Sequence, residues 1–439
     1  MLLSYHITQL LMTKTLLFSL LVLFASIDLR AQVLPYAKEV VKSLSSEDFH
    51  GRGYVHDGDK IAADFIRNEF RRFGLKSFTN DYYQTFSIPI NTFPGAIELI
   101  VDGDTLSPGV DFLVNYWSPS IQGEFHAFHA SNFDLSSLGS LRGVLRDSRG
   151  KVLVLNQDDE ERKREISEES ESLIKEAKDF LRFHPQNSVS ATLFIENELS
   201  GWNNSTRQLG KPSIVVVDSI LKKMIERVEF NIEAEFIENY TTQNVIGYLD
   251  GENNDSTIVI IAHYDHFGRM GTALFPGAND NASGTAMMLS LARHFSENTP
   301  KYRTVFIAFG AEEIGLIGSK YFVQNPLFDL TSIKFLMNFD LAGTGDEGIQ
   351  VVNGSVYRKQ FDRLRNINNE FELLPQVKIR GAACNSDHCA FDEVNVPGFY
   401  IYTLGGIRAY HDVFDRYETL PFTEFEDYHQ LMVRFLEGM

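Results

Sequence analysis

From residue 244 onward the chain alternates between two hydrophobic rhythms. Short apolar and β-branched runs at 244–249, 257–262, 304–309, 334–339 and 398–402 have the length and make-up of buried strands. Between and after them, apolar residues recur every three or four positions over 282–297, 317–324, 357–371 and 423–437, the spacing of amphipathic helices. Strands and helices taking turns in this way predict an α/β domain with a mainly parallel sheet and helices on both faces. The functional crevice of such a sheet lies at the carboxyl ends of its strands.

Upstream, a helical pattern at 36–44 is broken by SSEDFHGRG at 45–53. A second amphipathic helix is expected over 59–73, with Ile61, Phe65, Ile66, Phe70 and Phe73 on one stripe and Gly74 ending it. Residues 82–88 alternate as a strand would. After Phe93-Pro94-Gly95 the rhythm changes. Strand-like runs at 97–101, 151–155, 192–196 and 212–217 are separated by long polar loops, without a regular set of crossover helices. This predicts a β-rich domain at 96–239 inserted into an α/β domain made of 32–95 and 240–439. The acidic tract 158–176 reads as a solvated helix or a flap, and no cluster in the insert has catalytic spacing.

Charge and the two ends of the chain narrow the setting. With 40 basic against 59 acidic residues, the net charge of -19 repels a phosphate backbone and disfavours nucleic-acid binding. Thr13-Lys14 precede an apolar run at 16–25, and Leu29-Arg30-Ala31 offers a small residue for cleavage. This predicts a secretory leader over 1–31, with Met12 as the initiator, and an exported periplasmic or extracellular protein with no stable membrane span. An uncleaved anchor is the alternative. The two cysteines, Cys384 and Cys389, leave a bridge and free thiols equally open, and they are too few for a four-cysteine zinc site.

The predicted strand ends carry candidate ligands. The strand 257–262 runs into His263-Tyr264-Asp265, Asp280 stands just ahead of the helix 282–297, and Glu312-Glu313, Asp340 and His411 follow later. Singly, each has a structural explanation as a helix cap, a strand-end carboxylate or a loop hydrogen bond. Together, His263, Asp280, Glu313, Asp340 and His411 supply two imidazoles and three carboxylates. That set suits zinc, and two ions if one carboxylate bridges; a single ion with spare carboxylates is the competing arrangement. Asp265 is expected to accept the second N–H of the His263 ring. Glu312 is placed to act as a general base on a metal-bound water.

HYDHFG, GANDNASG, AEEIGLIGS, NFDLAG, SDH and AYHDVFD, in that order, resemble the co-catalytic zinc aminopeptidase family, relatives of bacterial leucyl aminopeptidase, glutamate carboxypeptidase and the transferrin receptor ectodomain. The match covers about 244–420, and LSSEDFHGRG with the 59–75 helix resembles the family's amino-terminal part. The insert resembles a protease-associated domain. The resemblance implies that Asp280 bridges two zinc ions, one also held by His263 and Asp340 and the other by Glu313 and His411. It also implies Glu312 as general base and Asp265 as the partner of His263. Asn279 stands where many relatives have an aspartate. Cys384 and Cys389 flank Ser386-Asp387-His388, whereas some relatives carry a disulfide before that triplet, so no bridge is assumed.

The implied function is removal of N-terminal residues from peptide substrates. Alternatives are a glutaminyl cyclase around one zinc, a carboxypeptidase or dipeptidase using Arg380 or Arg408, and a non-catalytic binding protein. Asp387 and His388 are assigned to a substrate-side loop, with a structural role for His388 equally open. Phe391, Tyr400 and Tyr410 are candidates for a pocket or for core.

Overall fold

Val259 and Ile261 point to one side of the strand Asn253–His263, and Ile258, Ile260 and Ala262 to the other; all five are buried. A strand buried on both faces must be covered by a layer on each, which is why its sequence reads as a continuous apolar run. In the computed structural model, which describes residues 33–157, 162, 166–221 and 223–439, this strand lies inside an eight-stranded sheet. The leader expected over 1–31 and part of the acidic tract lie outside the described residues.

The sheet runs in the order Tyr83–Thr92, Glu235–Leu249, Tyr302–Phe309, Asn253–His263, Ile333–Phe339, Gly398–Thr403, Ile349–Val352, Val377–Ile379. The four strands from Tyr302–Phe309 to Gly398–Thr403 are mutually parallel. Antiparallel pairings occur towards the margins. Helices Val33–Leu44, Gly58–Arg72, Gly284–Glu297, Arg358–Phe371 and Phe425–Glu437 bury their apolar stripes on the Ile260 face. The opposite face, with Val259 and Ile261, is covered by the shorter helices Ile317–Gln324 and His388–Asp392 through Phe322 and Phe391. Among the described residues, no helix is long and apolar enough to cross a membrane.

The chain leaves this sheet after Thr92 and re-enters it at Glu235, building a second eight-stranded sheet in between. Here the expectation of an insert without crossover helices needs correction. Strands Ile121–Ser131, Val152–Asn156, Ala191–Glu196 and Ser213–Val217 are parallel neighbours. Helices Leu138–Asp147 and Glu168–Phe183 form the first two crossovers. Glu168–Phe183 buries Ile174, Ala177 and Leu181 on this sheet, so the helix reading of the acidic tract holds there and the flap reading does not. Those three residues are the buried part of its apolar stripe.

The two parts share a core. Phe267, and Met270, Ala273 and Phe275 from the hairpin after it, are buried with Phe93 and with Leu99 and Trp202 of the insert. The Trp202 ring stacks on Phe275 at 4.7 Å. Continuous packing of this kind couples the insert to the loops at the strand ends.

Candidate metal centre

The parallel strands deliver their carboxyl ends to one crevice, and the candidate ligands meet there. His263 ends its strand, Glu312 and Glu313 follow Tyr302–Phe309, Asp340 follows Ile333–Phe339, and Asp280 sits in the wide turn Ala278–Ser283 that opens the helix Gly284–Glu297. His263 Nε2 is 3.4 Å from Asp280 Oδ1 and 3.4 Å from Asp340 Oδ1. His411 Nε2 is 3.0 Å from Asp280 Oδ2 and 3.8 Å from Glu313 Oε2. The two oxygens of Asp280 therefore face different imidazoles. Two sets of three residues bring ligand atoms within 4.8 Å of one another: His263 with Asp280 and Glu313, and His263 with Glu312 and Asp340. All the side chains are largely buried; His411, at 20%, is the most exposed.

Crowding sets the acidities. Burial, reinforced by Asp387, Asp340 and Asp265, pushes Glu312 well above the usual carboxylate range, although His263 opposes it. Burial and Asp280 do the same to Glu313. Asp280 goes well below that range: burial would raise it, but hydrogen bonds from His263 and His411 prevail. For His263, burial opposes protonation, and the Glu312 and Asp340 carboxylates outweigh it, raising the imidazole. Buried oxygens packed this closely call for a cation of more than single charge.

Asp265 departs from expectation. Its Oδ1 is 3.9 Å from His263 Nδ1, beyond hydrogen-bond reach, and the ring nitrogen meets the Asp265 backbone oxygen at 3.2 Å instead. The carboxylate accepts the N–H groups of Glu312 at 3.1 Å and Glu313 at 3.4 Å. The strand stops at His263, so the alternation of a strand, which would return Asp265 to the face of His263, does not extend to it. Asp265 thus anchors the loop that carries both glutamates.

Four supporting residues lay inside the quoted motifs without being singled out as such. His266 Nδ1 is 2.6 Å from Glu313 Oε1, and burial keeps this imidazole well below its usual range. Asp415 accepts the N–H groups of Asn279 at 2.8 Å and Asp280 at 2.9 Å. Ser386 Oγ donates to Asp340 Oδ2 at 2.9 Å. Arg52 is fully buried, and its N–H groups reach the carbonyls of Leu44, Tyr264, Pro276, Gly277 and Asp280. Five donors are matched by five acceptors around the segment that bears Asp280. Arg52→Met is expected to lower the free energy of unfolding by about 3 kcal/mol or more, because the carbonyls lose their donors in a dry site; denaturant titration reads this directly, and a loss below about 1 kcal/mol would contradict it.

Cys384 and Cys389 are joined, with Cα atoms 4.9 Å apart, and the bridge brackets Ser386-Asp387-His388. His388 is buried, with Nε2 2.7 Å from Ala383 O, and Phe391 and Tyr400 are core. Tyr410 is half exposed. Arg380 is exposed and donates to Tyr402 Oη at 3.0 Å, and Arg408 is exposed. Replacing both cysteines by serine closes no loop in the unfolded chain and is expected to cost about 2 kcal/mol for so short a ring. The same denaturant titration, run with and without reductant, measures it.

Residues 244–436 match the family model described as peptidase family M28. The matched stretch holds His263, Asp280, Glu312, Glu313, Asp340 and His411. Aminopeptidase YwaD of Bacillus subtilis (strain 168) is 27% identical over 250 residues, which is 56% of this chain and 51% of that protein. A probable zinc metalloprotease of Pyrenophora tritici-repentis is 34% identical over 142 residues, 30% of this chain and 27% of that protein. The chain thus spans about half the length of the first of these curated relatives and about a quarter of the second. The fold is also that of solved structures. A zinc aminopeptidase from Bacillus subtilis superimposes with a TM-score of 0.66 at 21% identity, covering 92% of this chain and 94% of that one. An aminopeptidase from Aneurinibacillus sp. strain AM-1 gives 0.58 at 18% identity, covering 91% and 92%.

Proposed function

We propose that the protein is a zinc-dependent aminopeptidase that hydrolyses the first bond of peptide substrates at a centre of two zinc ions. The observation that carries this reading is the disposition of Asp280, one oxygen towards His263 and the other towards His411. A carboxylate so placed could serve a cation on either side. The donor set of imidazoles and carboxylates fits zinc, with His263, Asp280 and Asp340 holding one ion and Asp280, Glu313 and His411 the other. When bound, the ions would polarise the scissile carbonyl and lower the pKa of the attacking water.

The chain's own residues supply the rest. Glu312, beside this set and raised by burial, takes a proton from the water and returns it to the departing amine. Asp265 holds the Glu312 and Glu313 backbone, and His266 orients the Glu313 side chain. The acidic surroundings favour a substrate with a free amino group.

Export is part of the same proposal. It rests on the leader-like start and is supported by the bridge between Cys384 and Cys389, which persists in oxidising compartments. The 96–239 region, as a protease-associated-like domain, would shade the cleft and favour short peptides. Purified protein, with and without zinc, should be assayed on aminoacyl-anilide, dipeptide and Gln-peptide substrates. Zinc-dependent release of N-terminal residues is expected. Cyclisation of the Gln-peptide alone would replace this reading by a glutaminyl cyclase.

A further inference from the structure

The insert presses on the segment carrying His411 at two glycines. A Cβ at Gly109, where φ is +80°, would lie 2.7 Å from Val413 Cγ1, and one at Gly201 would lie 2.4 Å from His411 Cβ. Only a residue without a side chain allows either approach. Next to Gly201, the Trp202 N–H donates to His411 O at 2.7 Å, and its indole Nε1–H donates to Val114 O at 2.7 Å. These contacts hold the two parts in register. Beside them remains a cavity of about 300 Å³, with Gly109, Gly201 and His411 in its wall.

The lining has a definite chemistry. Val110, Leu113, Leu199, Phe275 and Phe414 make it apolar, Glu198 and Asp412 add carboxylates, and neither lysine nor arginine is among the lining residues. Asp412 Oδ1 already accepts the N–H groups of Phe414 at 2.7 Å and Asp415 at 3.2 Å. Glu198 is exposed, and Val110 and Phe414, at 50% and 51% exposure, leave large apolar surfaces open to solvent. Half-exposed apolar walls with a carboxylate suit a guest that has an aliphatic stem and a cationic end. The imidazole lining this cavity is also the one that faces Asp280 at 3.0 Å. A guest here lies one ring away from the candidate metal centre.

We propose that this cavity selects lysine or arginine at a position flanking the cleaved bond of a bound peptide. The inference rests on the aminopeptidase reading and names its substrate class. The stem packs on Val110, Leu113, Leu199 and Phe414, and the cation meets Glu198. Acidic side chains are rejected, because the wall offers them two like charges and no counter-charge.

The test uses the zinc-loaded full chain on short peptides whose first or second residue is lysine, norleucine or glutamate, with Ala-Ala as reference. At one of the two positions, kcat/KM is expected to favour lysine over glutamate by about tenfold or more. Glu198→Gln should cut the lysine-to-norleucine ratio by about three- to tenfold while leaving Ala-Ala cleavage unchanged. Val110→Trp, which narrows the mouth, should slow lysine and norleucine peptides together and spare Ala-Ala. Ala-Ala cleavage with no preference at either position, or a lysine-to-norleucine ratio indifferent to Glu198→Gln, overturns the inference alone. Failure of the zinc-loaded protein to cleave any of these peptides overturns the aminopeptidase reading and this inference with it.

Discussion

Glu312→Gln is expected to lower kcat by about 10²- to 10⁴-fold while the protein keeps its metal and its fold. The substitution preserves shape and removes only the capacity to take a proton. Glu312 is held by its backbone N–H to Asp265, so the amide should occupy the same place as the carboxylate. The case for a base is positional: Glu312 stands beside Glu313 just past the strand end, with its backbone held by Asp265. Burial, together with Asp387, Asp340 and Asp265, raises this carboxyl well above its usual range. His263 lies 4.0 Å from its Oε2, so the side chain is close enough to compete for metal, and the experiment must distinguish the roles. A kcat that falls with metal content intact fits the base. Loss of an ion from the Gln variant would make Glu312 a ligand, and unchanged hydrolysis would remove it from the mechanism.

The second large effect is expected at Asp280. Asp280→Ala should take the metal content from about two ions per chain to well below one and abolish hydrolysis, because the carboxylate that faces both imidazoles, one oxygen to each, is gone. Asp340→Ala or His411→Ala removes a ligand from one side only, and each should retain close to one ion. Metal analysis after dialysis against a weak chelator separates these cases. A wild-type value near one ion would sink the dinuclear centre, and an Asp280→Ala protein that still held two would show that the bridge lies elsewhere. The fold should survive, since Arg52 and Asp415 grip the neighbouring backbone and do not bond the Asp280 side chain.

Much of this site was legible because strand ends are. A buried parallel strand announces itself as an apolar run, and the first polar residue after it sits in the crevice, which is how His263, Glu312, Glu313 and Asp340 could be named. Asp280 was legible from its place just ahead of an amphipathic helix. Elements on the rim were harder to see. The strand Glu235–Leu249 is polar over its first half, where it forms a ribbon with Tyr83–Thr92, and only its buried half showed an apolar rhythm. Ile121–Ser131, with Gly123 and two histidines, is half exposed along most of its length and gives no such run.

The chain's own order of residues determined the α/β pattern, the interruption by a second domain and the set of candidate ligands, because each depends on local periodicity or on a strand's end. Tertiary structure decided the contacts between parts far apart in the chain. It turned Asp265 from the His263 ring to the Glu312 and Glu313 amides, and it brought Arg52 across more than two hundred residues to the carbonyls around Asp280. It also joined Cys384 to Cys389 and set Gly201 of the insert against His411. None of these follows from spacing along the sequence. A buried donor or acceptor takes whichever partner the packing of distant segments brings within reach, and only the folded chain specifies which that is.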